Sequence, residues 1–365
     1  MLLAPAGHRS AERPQRERYD GHAGSVGDGG ARTSGSSDAR PGGGLRGRRL
    51  VCGPGHLGGQ RLPLPVLTRG DRGTRLVGGP RAATAAVSAM ARAPHGPVQL
   101  PGGGQRVFPG RALVALYGHP GGGGLRVLGE QGPDETVRRA ASVAAPYRTL
   151  YDVPVVPTLE IIATVASVSA GADGDYSTES PVASLQPMVD AATSAGQYVV
   201  LDLQPGRADM VEQARRYQSL LEQPNVGLAL DPEWALGPDQ LPLKQIGSVT
   251  AGQVNAVVGW LAGLTAARNL PQKVLVLHQF RPAMVRDAAR LDRSRDEVAL
   301  LVHVDGQGPR SSKESTWARI VDTTPPGVFL GWKNFYDEDP QTASPADTVN
   351  RSPRPLMVSY QEGPR

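Results

Sequence analysis

About eight times between residues 113 and 361, a run of small and aliphatic residues stops abruptly at a polar one, and stretches of helical period fill most of the intervals. The sharpest case is VGLALDPEW, Val226 to Trp234, an apolar run that ends in Asp231, Pro232 and Glu233. Such a run reads as a buried strand delivering two carboxylates to its carboxyl end. Strands alternating with helical segments favour a parallel sheet, and eight such units over about 250 residues match a (β/α)8 TIM barrel with one polar mouth. The expected fold class is therefore α/β.

Taken in order, strands are expected at RALVALYG, ending near His119, and at VPVVPTLEIIATVAS, which carries Glu160. They follow at QYVVLDLQPG with Asp202 and Gln204, VGLALDPEW, QKVLVLHQF with His278 and Gln279, and EVALLVHVDGQG with His303 and Asp305. The last two are GVFLGWKNFYDEDP with Trp332, Lys333 and Asn334, and PLMVSYQ with Tyr360 and Gln361. Helices are expected over 134–150 with Asp134 as N-cap, over 181–196 capped by Ser180 with Pro181 at its first position, over ADMVEQARRYQSLLE, and after Thr250. The long connection 235–250 is expected to fold over the mouth. The GHPGGGG loop lacks the Lys-Ser/Thr of a phosphate loop and reads as a turn. Asp173, Asp175 and Ser177 read as an ordinary solvated loop, because the other ligands of a calcium motif are missing.

Charge divides the chain. The first hundred residues hold 15 Arg, no Lys and 6 acidic residues, whereas the remaining 265 hold 24 basic and 28 acidic, so the formal +5 comes entirely from the amino-terminal part. Residues 1–81 are rich in Gly, Arg and Pro and have no lasting period, which predicts a disordered tail; 82–110 read as a linker and 111–365 as the barrel. Arg without Lys among Gly and Pro is what a GC-rich frame yields when translated out of register or upstream of its start. That reading is favoured over a basic tail for nucleic acid or an anionic polymer. The mildly acidic remainder gives no argument for nucleic acid. Cys52 is the single cysteine, which excludes an intrachain disulfide and cysteine metal sites. MLLAPAGHRS has no signal-peptide core, and no stretch approaches the roughly 18 apolar residues of a membrane span.

Strand ends of a barrel converge, so His119, Glu160, Asp202, Asp231, Glu233, His278, Gln279, His303, Asp305, Lys333 and Tyr360 are expected around one cavity. Side chains alternate along a strand, which predicts that Asp231 and Glu233 point the same way with Cα atoms about 6 to 7 Å apart. Two such carboxylates can divide labour, one held protonated by crowding and burial and the other ionised. Glycoside hydrolysis needs that division, and Trp234 and Trp332 are candidate platforms for sugar rings. His278 and His303 are expected to orient the carboxylates rather than hold a metal, and Lys333 to act as their charged partner rather than as a Schiff-base lysine. No metal or other cofactor is assigned.

At these same residues, LVALYGHPG, LEIIATVAS, YVVLDLQPG, VGLALDPEW, VLVLHQF, GWKNFYDED and VSYQ together resemble an uncharacterised barrel family from high-GC bacteria, glycosidase-like in outline. The resemblance covers about 97–361. It implies a (β/α)8 barrel and an extracellular or cell-envelope location, and it carries over no catalytic residue. The chain departs from the best-known glycosidase pattern in its seventh strand, which offers Lys333 and not a glutamate. The expected function is a glycoside-hydrolase-like barrel acting on an envelope or extracellular polysaccharide, with Glu233 as proton donor and Asp231 or Asp202 as second carboxylate. A non-catalytic carbohydrate- or cell-wall-binding barrel and a metal-dependent hydrolase are the alternatives, and the oligomeric state is left open.

Overall fold

The structure, a computed structural model, describes residues 97–121 and 126–362; the expected tail 1–81 and the first part of the linker lie outside them. Eight strands form the frame: β1 Ala112–Gly118, β2 Val155–Ala166, β3 Tyr198–Leu203, β4 Val226–Leu230, β5 Lys273–Gln279, β6 Val298–Val304, β7 Phe329–Phe335 and β8 Met357–Gln361. Each pairs in parallel with the next, and β8 pairs back onto β1 with Leu113 opposite Met357, which closes the barrel. Closure leaves no edge strand in the ring.

Helices α1 Pro133–Ala144, α2 Val182–Ser194, α3 Met210–Arg216, α4 Ala251–Ala267, α5 Arg310–Thr323 and α6 Pro345–Val349 lie between the strands. Thr250 caps α4 as expected, in a reciprocal capping box with Gln253. Two expected caps differ. Gly132 precedes α1, with Pro133 rather than Asp134 at the first position, and Pro181 precedes α2 without a side-chain cap. Ser180 is not the cap because its hydroxyl meets His119 Nε2 at 3.0 Å instead. The β5–β6 connection has 3-10 turns and a two-residue strand in place of a regular helix.

Strand alternation sorts the side chains into two apolar shells. Leu116, Ile161, Leu201, Leu228, Leu277 and Val302 point outward against the helices, while Leu113, Val156, Tyr198, Ala229, Val276 and Leu301 fill the lower interior. The interior floor is sealed by the segment before β1: Phe108 packs on Phe329 with ring centroids 5.2 Å apart. Arg111 holds that segment from inside. Its buried guanidinium donates to the carbonyls of Pro101, Gly103 and Arg106. Removing it strands several carbonyls, so Arg111→Ala is expected to lose about 3 kcal/mol of stability. Urea unfolding checks this: a lower midpoint at unchanged slope is the expected result.

Candidate active site

Above the apolar floor the inward positions turn polar, and the register brings Tyr117 of β1, Glu160 of β2, Asp202 of β3, His278 of β5, His303 of β6 and Lys333 of β7 into the upper interior. Asp231 and Asp305 follow the ends of β4 and β6 and join them. His278 sits at the centre. Its Nε2–H donates to Glu160 Oε1 at 3.1 Å and its Nδ1–H to Asp305 Oδ2 at 3.2 Å, with Asp202 Oδ1 4.0 Å from Nε2. Burial, and then Lys333, pull the imidazole toward neutrality, but Glu160, Asp202 and the bond to Asp305 outweigh them and raise His278 well above the ordinary imidazole range. It is an imidazolium.

Its neighbours take complementary states. His303 is driven well below the usual range by burial, then by the charges of His278 and Lys333, so it stays neutral; its Nε2 lies 2.7 Å from Ser359 Oγ. Asp305 is lowered despite its burial because it accepts from His278. Asp202 is raised, chiefly by burial, and its Oδ2 accepts from Tyr117 at 2.8 Å. The Lys333 ammonium lies 3.4 Å from the centroid of the Tyr117 ring, an attraction to the π face between two buried side chains. Space for His303 comes from the next strand: a β-carbon at Gly331 would overlap its Nδ1.

Asp231 and Glu233 do not share a strand. The ladder ends at Leu230, because Pro232 has no N–H to donate, and Pro232–Trp234 form a 3-10 turn. Asp231 therefore stays in the interior, 4 % exposed, while Glu233 and Trp234 stand partly exposed at the rim. The two carboxyls still interact: burial, then the charge of Glu233, push Asp231 well above the carboxylate range. The turn is strapped down by the 235–250 connection, where the Gly247 N–H donates to the Glu233 carbonyl at 2.6 Å.

Three expected mouth residues face elsewhere, for reasons of parity. Lys333 points inward, so Trp332 points outward, packed on Trp317 and beneath the Arg351 guanidinium 3.3 Å from its ring centroid. Ser359 points inward, so Tyr360 meets Tyr147 on the helix side, and Gln279 donates to the carbonyls of Arg281 and Pro282. His119 lies at the rim against Ser180. Tyr117 and Ser359 were not among the expected residues, although alternation along ALVALYG and MVSYQ places both inward.

Among the described residues, the group of three acidic side chains whose oxygens all lie within 4.8 Å of one another is Asp173, Asp175 and Glu179, in the loop after β2. No helix of the described residues is long and apolar enough to cross a membrane.

No protein-family model matches the chain, and no curated protein matches it. Among solved structures it is similar to the xylanase-alpha-amylase inhibitor protein XAIP-I in complex with trehalose, at 14% identity over 68% of this chain and 92% of that one, with a TM-score of 0.39. It is also similar to the related inhibitor XAIP-II from Scadoxus multiflorus, at 13% identity over 69% and 93% with a TM-score of 0.39. A hyperthermophilic endo-beta-1,4-glucanase in complex with substrate matches at 9% identity over 56% and 76%, with a TM-score of 0.26. At these scores the architecture rests on the strand registers themselves.

The ionisation pattern sets the pH response. His278, raised when folded, stabilises the protein below about pH 6.5 and loses that contribution as pH rises through its folded value. Asp231, also raised, resists ionisation that the unfolded chain undergoes near pH 3.9, so it too lowers stability as pH rises. Asp231→Asn removes the second effect. Its melting temperature is expected to exceed that of the parent by a few degrees at pH 8 and to converge with it toward pH 4, as calorimetry across that range would measure.

Proposed function

We propose that the barrel hydrolyses glycosidic bonds in an envelope or extracellular polysaccharide, with Glu233 as proton donor and Asp231 as the buried carboxyl coupled to it. One observation carries this reading: a sealed carboxyl, pushed up by burial and by its neighbour's charge, lies beside a second carboxyl that a substrate can reach. The proton that the Asp231–Glu233 pair holds passes through Glu233 to the leaving glycosidic oxygen, the bond from that oxygen to the anomeric carbon breaks, and water adds its oxygen to that carbon and returns a proton to the pair. Positive charge develops on the sugar ring as the bond breaks. Asp305, held ionised by His278, is the anion that opposes it. Asp202 acts as a positioning residue, since its contacts are Tyr117 and His278 inside the sealed interior. Lys333 occupies the seventh-strand position, so the reading does not use a seventh-strand glutamate. Trp234 beside Glu233 is the rim aromatic suited to a sugar face. The envelope location follows the family resemblance of the strand motifs.

Glu233→Gln is expected to lower kcat on a cleaved glycan by about 100-fold or more with the fold intact. The parent rate should fall as pH rises through the raised Asp231 value, because the pair then loses its proton. A glycan panel read by reducing-end formation checks both. Parent-like rates in folded Glu233→Gln and Asp231→Asn proteins would sink the assignment, and saturable binding without product would make the barrel a carbohydrate-binding one.

A further inference from the structure

Three loops on the mouth side of the barrel meet at one residue. Arg207, just after β3, donates its backbone N–H to the Asp175 carbonyl, in the loop after β2, at 2.6 Å. Its guanidinium lies over the Tyr176 ring, 4.5 Å from the centroid, and its Nη2 donates to the Gln240 carbonyl, in the connection after β4, at 2.7 Å. The neighbouring position admits only glycine: Gly206 has φ 58°, and a β-carbon there would lie 2.2 Å from the Asp175 carbonyl oxygen. Tyr176 is itself left-handed at φ 62°, a conformation that a bulky residue keeps only where its surroundings hold it.

The contact with Gln240 matters because the connection has few others. At its ends the Leu236 N–H donates to the Gly206 carbonyl at 2.7 Å and the Gly247 N–H to the Glu233 carbonyl at 2.6 Å. Between them, residues 237–246 bond to one another, as the Gln240 N–H does to the Gly237 carbonyl and the Gln245 amide to the Leu241 carbonyl. Among the described residues, the bond from Arg207 is the one hydrogen bond that joins 237–246 to the rest of the protein. Pro242 is the only buried residue of that segment. A stretch with so few ties opens at low free energy while the barrel beneath it stays folded. Its two ends meet the Pro232–Trp234 turn, one following it in the chain and the other bonded to Glu233, so a movement of the segment reaches the acid.

We propose that 237–246 is a lid at the mouth and that Arg207 is its latch, a positioning residue that seats the turn carrying Glu233 when the lid closes on a glycan. The glycan rests on the hydrolase reading above, whereas the latch rests on the contacts just given. The Tyr176 ring fixes the plane of the guanidinium, so the cation is already aimed when the Gln240 carbonyl arrives. The bond is charge-assisted but single, which suits a contact that breaks to admit substrate and re-forms around it.

The lysines of the chain provide the test. There are four; Lys273, Lys313 and Lys333 are buried, and Lys244 stands exposed within the lid. A lysine-specific protease therefore cuts the full chain at Lys244 when the lid opens, and at the other three only when the barrel unfolds. In Arg207→Ala, cutting at Lys244 is expected to rise about five-fold, the order of effect that loss of one such hydrogen bond produces, with the buried lysines still protected. Tyr176→Asn, which tolerates the left-handed backbone but removes the π face, should raise it by a smaller factor. On a cleaved glycan, Arg207→Ala should lower kcat more than it raises KM, and Arg207→Lys, which keeps the charge and a donor, should recover most of the loss. Parent-like cutting at Lys244 in Arg207→Ala, with Glu233-dependent cleavage of a glycan intact, would overturn the latch and leave the hydrolase reading standing. Latch-dependent cutting in a protein that cleaves no glycan would uphold the latch and remove the hydrolase reading. Faster cutting at all four lysines alike, in both variants, would make Arg207 a brace of the whole fold and overturn the latch.

Discussion

The charged imidazole of His278 is the interaction on which the upper half of this barrel depends. Three acidic side chains, Glu160 and Asp202 from two strands and Asp305 just past the end of a third, face one ring, two of them within hydrogen-bond distance. Buried carboxylates without such a centre would repel one another and take up protons. With it, the interior separates into distinct states: an ionised Asp305, a neutral His303, and an Asp231 that resists losing its proton. Removing the ring would leave several anions uncompensated at once. His278 thus couples the stability of the upper barrel to the chemistry that its mouth can perform.

Much of this was legible in the chain. The apolar runs marked the eight strands because a strand covered on both faces by core and helices has no solvent side to encode. The polar tips marked Glu160, Asp202, Asp231, His278, His303, Asp305 and Lys333, and all of these lie in or beside the upper interior. Trp332 and Tyr360 stand near strand ends yet face the helices, because parity turns them outward once Lys333 and Ser359 face inward. The same alternation would have found Tyr117. What sequence spacing could not supply is pairing across the barrel: His278 and Glu160 are 118 positions apart, and only closure brings them together.

Local propensity also gave way to tertiary demand at identifiable points. Ser180 had the chemistry of a cap for α2, yet its hydroxyl joins His119 at the rim, and Pro181 takes the position before the helix with no side-chain cap. Pro232 cut β4 short, so a D-x-E that alternation would align was split between a dry interior and an accessible turn. That split separates the two carboxyls by environment more strongly than strand geometry would. One is sealed and the other open, the difference that distinct protonation states require.

The strap at Gly247 limits how this mouth can vary. A β-carbon there would lie 2.6 Å from the carbonyl oxygens of both Pro232 and Glu233, so any larger residue would lift the turn that carries Glu233. Elsewhere in the connection Leu241 and Leu243 stand exposed, the latter in the left-handed backbone region at φ 61°. The cover thus hangs on a single position, and a larger side chain at Gly247 would displace the acid carried by the turn beneath it.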